Sequence, residues 1–193
     1  MTTNMSEENA KKLLFEIDTI VGRIGLTYML YGGTCLGAIR EKSFIFLDLD
    51  VDFACLIEDF VLVSKDLMRA FFDNGFDAHL VDHRHDRPWS GLPYGIKLNK
   101  YGVNADFFGW TKLGDRRFCP SHFDKFVLVH SSKYLEELRK IEFYGKKFNV
   151  PKETHKFLME KYGNWEKPHQ EFSNICEPTC RKEVRAGNDF WWI

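Results

Sequence analysis

Apolar residues recur at helical spacing from the start of the chain: Leu13, Leu14, Ile17, Ile20, Val21 and Ile24 follow Ser6, and Glu7 and Glu8 stand in the first turn, where the helix dipole favours acids. This pattern predicts an amphipathic helix up to Gly25. The apolar run LTYMLY then reads as a buried strand stopping at Gly32 and Gly33, and TCLGAIRE as a helix whose first turn begins at Thr34. In FIFLDLDVDFA the period changes to alternation, the signature of a strand. It becomes helical again over residues 57–74, through Phe60, Leu62, Val63, Leu67, Phe71 and Phe72. Strands are predicted at 76–82, 93–99 and 102–108, with Gly and Pro between them. Past residue 110 the pattern is irregular until IEFYGKKFNVP, two short strands around Gly145, and KETHKFLMEKYGNW, a helix after Pro151. From His169 to Ile193 there is no clear period, yet the chain closes on DFWWI, an apolar end expected to dock on the body of the protein.

A length of 193 residues with 44% hydrophobic composition fits one compact domain, taken as residues 1–168, with 169–193 as a docked tail. A formal charge of -1 supplies no general basic field, so no nucleic-acid partner is expected. The amino terminus is charged where a signal peptide needs an apolar run, and no stretch approaches the ~18 apolar residues of a membrane span, so a cytoplasmic protein is expected. Five cysteines without a secretion signal read as reduced thiols, with Cys35 and Cys55 in apolar, core-like contexts.

The alternation carries the chemistry. On a strand, Asp48, Asp50 and Asp52 share one side while Leu47, Leu49, Val51 and Phe53 take the other. Carboxylates crowded in that way raise one another's pKa unless a cation neutralises them, and Mg²⁺, a hard ion held by one or two carboxylates plus substrate phosphates, suits the pattern. Asp106 in VNADFFGW is an acid inside an apolar strand with no neighbour to neutralise it, and the expectation is that it joins the same group. Gly32 and Gly33 clear the start of a helix so that backbone N–H groups can approach a phosphate. Alone, alternating Asp is a solvated sheet face and Gly-Gly a turn; together, with Asp106, they point to a metal and phosphate site.

At these residues the chain resembles the LicD family of phosphocholine and related phosphodiester transferases, related to fukutin-related proteins. YGGTCLGAIREKSFIFLDLDVDF is similar to the family's Gly-Thr-Leu-Leu-Gly-Ala-x-Arg segment leading to an acidic run, VNADFFGW to its later acidic strand, and FYGKKFNVPKETHKFLMEKYGNWEKP to its closing element, so the likeness covers roughly residues 10–168. It implies an α/β (α+β) fold, a nucleotidyltransferase-like mixed sheet flanked by helices. It also implies Asp50 and Asp52 as paired metal ligands, Asp106 as the third acid, Asp48 as an additional one, and Gly32, Gly33 and Thr34 as the phosphate-side loop. Arg40 matches the family's Arg after the turn, where it either contacts phosphate or pairs with a nearby acid. Two departures stand out: Phe46-Leu47 replaces the family's Pro-Trp, and Leu49 replaces the middle acid.

The implied activity moves a phosphoalcohol group from a CDP-activated donor such as CDP-choline to a glycan or other hydroxyl acceptor, with Mg²⁺ or Mn²⁺ as cofactor and Asp106 or Asp48 as general base. The competing readings are a true nucleotidyltransferase that releases pyrophosphate, and a metal- or nucleotide-binding module without catalysis. A choline head would call for an aromatic cage, for which Trp89, Tyr94, Phe108, Trp110, Trp165, Trp191 and Trp192 are available, although aromatics near strand ends are commonly core. Lesser constellations are Asp82, His83, His85 and Asp86, read as a polar loop; Cys176 and Cys180, which would need Cys119 or a His to complete a zinc site; and Arg84, Arg87, Arg116 and Arg117, read as solvated loop charges near the acidic end.

Overall fold

A computed structural model of the chain describes residues 5–46, 48–82, 93–120, 126–167 and 181–183. The order of elements is α1 (Glu7–Ile24), β1 (Tyr28–Leu30), α2 (Gly32–Arg40), β2 (Asp50–Leu56), α3 (Ile57–Asp73), β3 (Asp77–Asp82), β4 (Pro93–Lys100) and β5 (Val103–Leu113). There follow β6 (Arg116–Pro120), β7 (Phe126–Ser131), the helical turn α4 (Lys133–Glu136), β8 (Leu138–Phe143), β9 (Lys146–Pro151), α5 (Thr154–Tyr162) and β10 (Arg181–Glu183). Ser6 caps α1 by accepting from the Asn9 N–H, and Gly25 ends the helix in the left-handed region, so the amphipathic stripe is delimited where its sequence signals put it.

Eight strands form one mixed sheet in which β1, β2, β5, β6, β7 and β10 are successive neighbours, while β4 also pairs with β5 and β3 with β4. Among the described strands only the β2–β5 pair is parallel, its connection running through α3, β3 and β4; the other strand pairs are antiparallel. β8 and β9 form a separate hairpin around Tyr144 and Gly145.

Alternation along the strands gives the sheet two unlike faces. Val51 and Phe53 of β2, Ala105 and Phe107 of β5, and Ile96 and Leu98 of β4 are buried with Leu13, Leu14, Ile17 and Val21 of α1 and Phe60, Leu67 and Phe71 of α3 in one core. Stacking between Phe53 and Phe107, ring centroids 5.5 Å apart, runs directly across the parallel pair. The opposite face is polar over the first half of β2 and β5, before Phe108 and Trp110. Asp52, Asp106, Lys97 and His79 form one cross-strand row over β2, β5, β4 and β3, and Asp50, Asn104, Asn99 and Asp77 form the next. Tyr101 and Gly102, both at positive φ, make the tight turn that sets the β4–β5 register and so puts Lys97 opposite Asp106.

Several expectations are corrected here. FIFLDLDVDFA is not a strand throughout: β2 starts at Asp50, and Asp48 lies in the loop before it, held by its N–H donating to the Ile45 carbonyl at 2.9 Å. Phe44 and Ile45 are buried in succession because the chain doubles back beneath α2, so close that a Cβ on Gly37 would lie 2.5 Å from the Ser43 carbonyl oxygen. α2 starts at Gly32, so the glycines are its first turn and not a turn before it. Leu62 and Phe72, placed on the buried stripe of the second long helix, are exposed. β5 runs on to Leu113, and β6 and β7 extend the sheet through a region that showed no clear period. Arg116 and Arg117 are on β6 and not in a loop, and Arg117 is buried. The docked tail expected at 169–193 lies outside the described residues except for β10.

Candidate metal and phosphate site

At the polar face, β2 and β5 deliver their acids side by side. Asp52 and Asp106 are register partners in the parallel pair, and Asp50 precedes Asp52 by one full alternation. Asp50, Asp52 and Asp106 each offer a carboxylate oxygen, all within 4.8 Å of one another. The sequence brought these residues together on paper, and the sheet does so in space.

The first turn of α2 forms the adjoining wall. A Cβ on Gly32 would lie 1.9 Å from Asp52 Oδ2 and one on Gly33 2.3 Å from Asp48 Oδ2, so both carboxylates rest directly against glycine backbone. Gly32 also has φ 54, a left-handed conformation that a side chain resists. The glycines thus admit aspartates to the positive end of a helix whose first N–H groups have no helical carbonyl to serve. Thr34 contributes from within: its buried Oγ1 accepts the Asp52 backbone N–H at 2.9 Å, while the Tyr31 N–H donates to the Asp52 carbonyl at 3.0 Å. Together these bonds lock the start of β2 to the start of α2.

The electrostatics agree with a site made for a cation. The carboxyl of Asp52 is held well above its usual range, first by burial, then by Asp50 and Asp48, with Asp106 adding in the same sense and Lys161 opposing. Asp48 is pushed up to about 7, first by burial and then by Asp50, against a bond accepted from the Leu49 N–H. Asp48 Oδ2 is buried with no hydrogen-bond partner among the described residues. An orphaned buried oxygen, three converging carboxylates and a glycine wall that a single methyl would fill are the features expected of an oxygen-ligand site for Mg²⁺ or Mn²⁺, and the residues fit such an ion.

Arg40 is brought elsewhere. Its Nε donates to Glu41 at 2.7 Å and its Nη1 to the Trp165 carbonyl at 2.9 Å, ties that fasten α2 to the segment after α5. Arg117 chelates Glu58 through Nη1 and Nη2 at 2.7 and 2.6 Å, bonds Glu136, and donates to the Trp110 carbonyl, a buried joint between the start of α3 and α4. Of the cage candidates, Trp110, Trp165 and Tyr94 are buried and Phe108 is half-buried. Trp89, Trp191 and Trp192, His83, His85 and Asp86, Arg84, Arg87, and Cys176 with Cys180 lie outside the described residues, while Asp82, expected in a polar loop, closes β3. Cys35, Cys55 and Cys119 are buried free thiols.

Sequence reasoning missed the group behind the site. His130 is fully buried, its Nε2 2.9 Å from the Tyr31 hydroxyl and its Nδ1 2.7 Å from Glu160. Lys161, also buried, donates to the same hydroxyl. For Lys161 a signal was present: Thr154, Phe157, Leu158 and Lys161 follow helical spacing, which put a lysine on a buried stripe.

A mixed sheet with helices against one face and clustered strand acids beside a glycine helix start on the other defines a nucleotidyltransferase-fold protein. The crystal structure of the lincosamide antibiotic adenylyltransferase LnuA, lincomycin-bound, shares this fold at TM-score 0.51 and 14% identity, over 83% of this chain and 89% of that one. Residues 25–153 match the family described as LicD/FKTN/FKRP, nucleotidyltransferase domain, and the chain belongs to that family. It is 27% identical over 173 residues to the ribitol-5-phosphate transferase FKTN of Macaca fascicularis, and equally to that of Homo sapiens. The alignment takes in 83% of this chain but spans only 34% of those curated relatives. Among the described residues, no helix is long and apolar enough to cross a membrane.

Proposed function

We propose that the protein is a divalent-metal-dependent transferase that moves a phosphoalcohol group from a CDP-activated donor to a hydroxyl acceptor, a glycan or smaller alcohol, with release of CMP. The observation that carries this reading is the convergence of Asp50, Asp52 and Asp106 against the glycine start of α2. Asp50, Asp52 and Asp106 would hold Mg²⁺ or Mn²⁺, and an ion so held offsets charge developing on the donor's phosphates. The chain's own groups do the positioning. First-turn N–H groups at Gly32 and Gly33 face the anionic donor, with Thr34 setting the strand that carries Asp52. Lys97, exposed and directly across from Asp106 on the open face, is a cation within reach of the same phosphates. Asp48, outside the three-carboxylate group and with no hydrogen-bond partner for Oδ2 among the described residues, is the carboxylate left to accept the acceptor's hydroxyl proton.

For the donor alcohol, a polyol of the ribitol kind is favoured over choline. The relatives carry ribitol-5-phosphate transferase in their name, and Tyr94, Trp110 and Trp165 are committed to the core where a choline head would need them exposed. The test is ³¹P NMR of the purified protein with CDP-ribitol or CDP-choline, Mn²⁺ and a panel of hydroxyl acceptors. CMP and a phosphodiester without pyrophosphate support the reading; pyrophosphate with a nucleotidylated acceptor would replace it with nucleotidyl transfer.

A further inference from the structure

Lys161 is a buried cation to which the chemistry above gives no part. It stands at the inner position of α5 with 6% of its surface exposed, where a methionine or leucine would fill the same space without the cost of desolvating an ammonium. Its Nζ donates to the Tyr31 hydroxyl at 3.3 Å and lies 4.5 Å from the centroid of the Tyr31 ring. That hydroxyl is fixed from the far side by His130, which Glu160 holds in turn. The rings of Trp110 and Phe157 pack on Tyr31 at centroid distances of 5.2 and 5.7 Å. Tyr31 is the residue before the two glycines, and its N–H donates to the Asp52 carbonyl at 3.0 Å. Lys161 therefore stands behind the Tyr31–Asp52 junction, among aromatic rings whose packing weakens solvent screening of its charge.

We propose that Lys161 is a built-in counter-charge to the aspartate group, a positioning residue that supplies from the protein part of the positive charge the site would otherwise draw from solution. This rests on the metal-site reading above. Its consequence is that the divalent ion is held less tightly than the carboxylates alone would hold it, leaving the remaining charge to be balanced when the donor's phosphates arrive with theirs. A lysine whose role was only to brace the fold would act in the opposite sense, because loosening the site can only weaken metal binding.

The test is Mn²⁺ titration of the purified full chain, read by the loss of the free-ion electron paramagnetic resonance signal, for wild type, Lys161→Met, Tyr31→Phe and Asp52→Asn. Removing a unit charge several ångströms from a divalent ion should tighten Mn²⁺ binding on the order of 10-fold in Lys161→Met, the Coulomb estimate at intermediate dielectric. Tyr31→Phe, which keeps the charge and removes the hydroxyl that Lys161 and His130 share, should stay near wild-type affinity, and Asp52→Asn should lose binding. Lys161→Gln, with a polar end within reach of the Tyr31 hydroxyl, makes the same prediction should the methionine variant fold poorly. Binding in both Lys161 variants that is equal to or weaker than wild type, while Asp52→Asn loses it, would overturn the counter-charge and leave the metal site standing. Failure of the wild type to bind Mn²⁺ would remove the site and the counter-charge together.

Discussion

Asp48→Asn in the metal-free protein gives the sharpest reading of how the site is built. The Asp48 carboxyl is raised from its ordinary 3.8 to about 7 in the folded chain, by burial first and by Asp50 second. A carboxyl with a raised folded pKa favours the native state while protonated, so its contribution is fully present below 3.8 and is lost as pH rises through about 7. Three pKa units correspond to about 4 kcal/mol at most, and relaxation and water entry bring the expected cost of ionised Asp48 to about 1–3 kcal/mol. In EDTA, Asp48→Asn should therefore match wild type only below 3.8, pull ahead progressively as pH rises, and exceed its melting temperature by roughly 2–12 °C near about pH 8, at ~2–4 °C per kcal/mol for a chain of this size. Saturating Mn²⁺ should reverse the order, since the ion relieves the repulsion only where the carboxylate is present. The assay is differential scanning fluorimetry across pH with and without Mn²⁺. A constant difference between the two proteins from low to high pH would refute the burial and repulsion argument.

Three further outcomes follow from the same geometry. Gly32→Ala, at φ 54 with Asp52 Oδ2 only 1.9 Å from the new Cβ, should cost about 2–4 kcal/mol and abolish Mn²⁺-dependent donor binding, whereas Gly25→Ala, at φ 86 in open space, should cost about 1 kcal/mol and leave binding intact; urea denaturation and donor thermal shift separate the two. Arg117→Met removes the cation shared by Glu58 and Glu136; because both acids keep solvent access and Glu136 keeps Lys112, it should destabilise by about 1–3 kcal/mol in urea denaturation, yet leave Mn²⁺ affinity unchanged because the joint lies outside the carboxylate group. Asp106→Asn should reduce transfer at least ~100-fold with native circular dichroism and an unchanged or higher metal-free melting temperature, since it removes a charge from a repulsive group.

What was legible in the sequence was whatever obeys a local period. The stripe of α1 with its Ser6 cap and Gly25 stop, the strand alternation of Asp50, Val51, Asp52 and Phe53, and the isolated acid Asp106 all carry their structural meaning within a few residues. Asp48 was misplaced onto the strand because alternation continues through Leu47 and Leu49, although among the described residues no strand pairs there and the chain before Asp48 passes under α2. β6 and β7 escaped notice because Arg117 and His130 occupy inward positions; each is buried by partners far away in sequence, Glu58 for the one and Tyr31 for the other. The same reason hid the Tyr31, His130 and Lys161 group, since long-range polar contacts leave no periodic trace. The glycines were read as clearing the way for a phosphate; what lies against them in the fold is the site's own aspartates.

The central claim, that Asp50, Asp52 and Asp106 form a divalent-metal centre, is tested most directly by anomalous diffraction from crystals of the protein soaked in Mn²⁺. The account predicts an anomalous peak at the meeting point of the three carboxylates, within about 2–2.5 Å of an oxygen from at least two of them, and its loss in Asp52→Asn crystals. A saturating soak that leaves this point empty in the wild type, or a peak there that persists unchanged in Asp52→Asn, would contradict it.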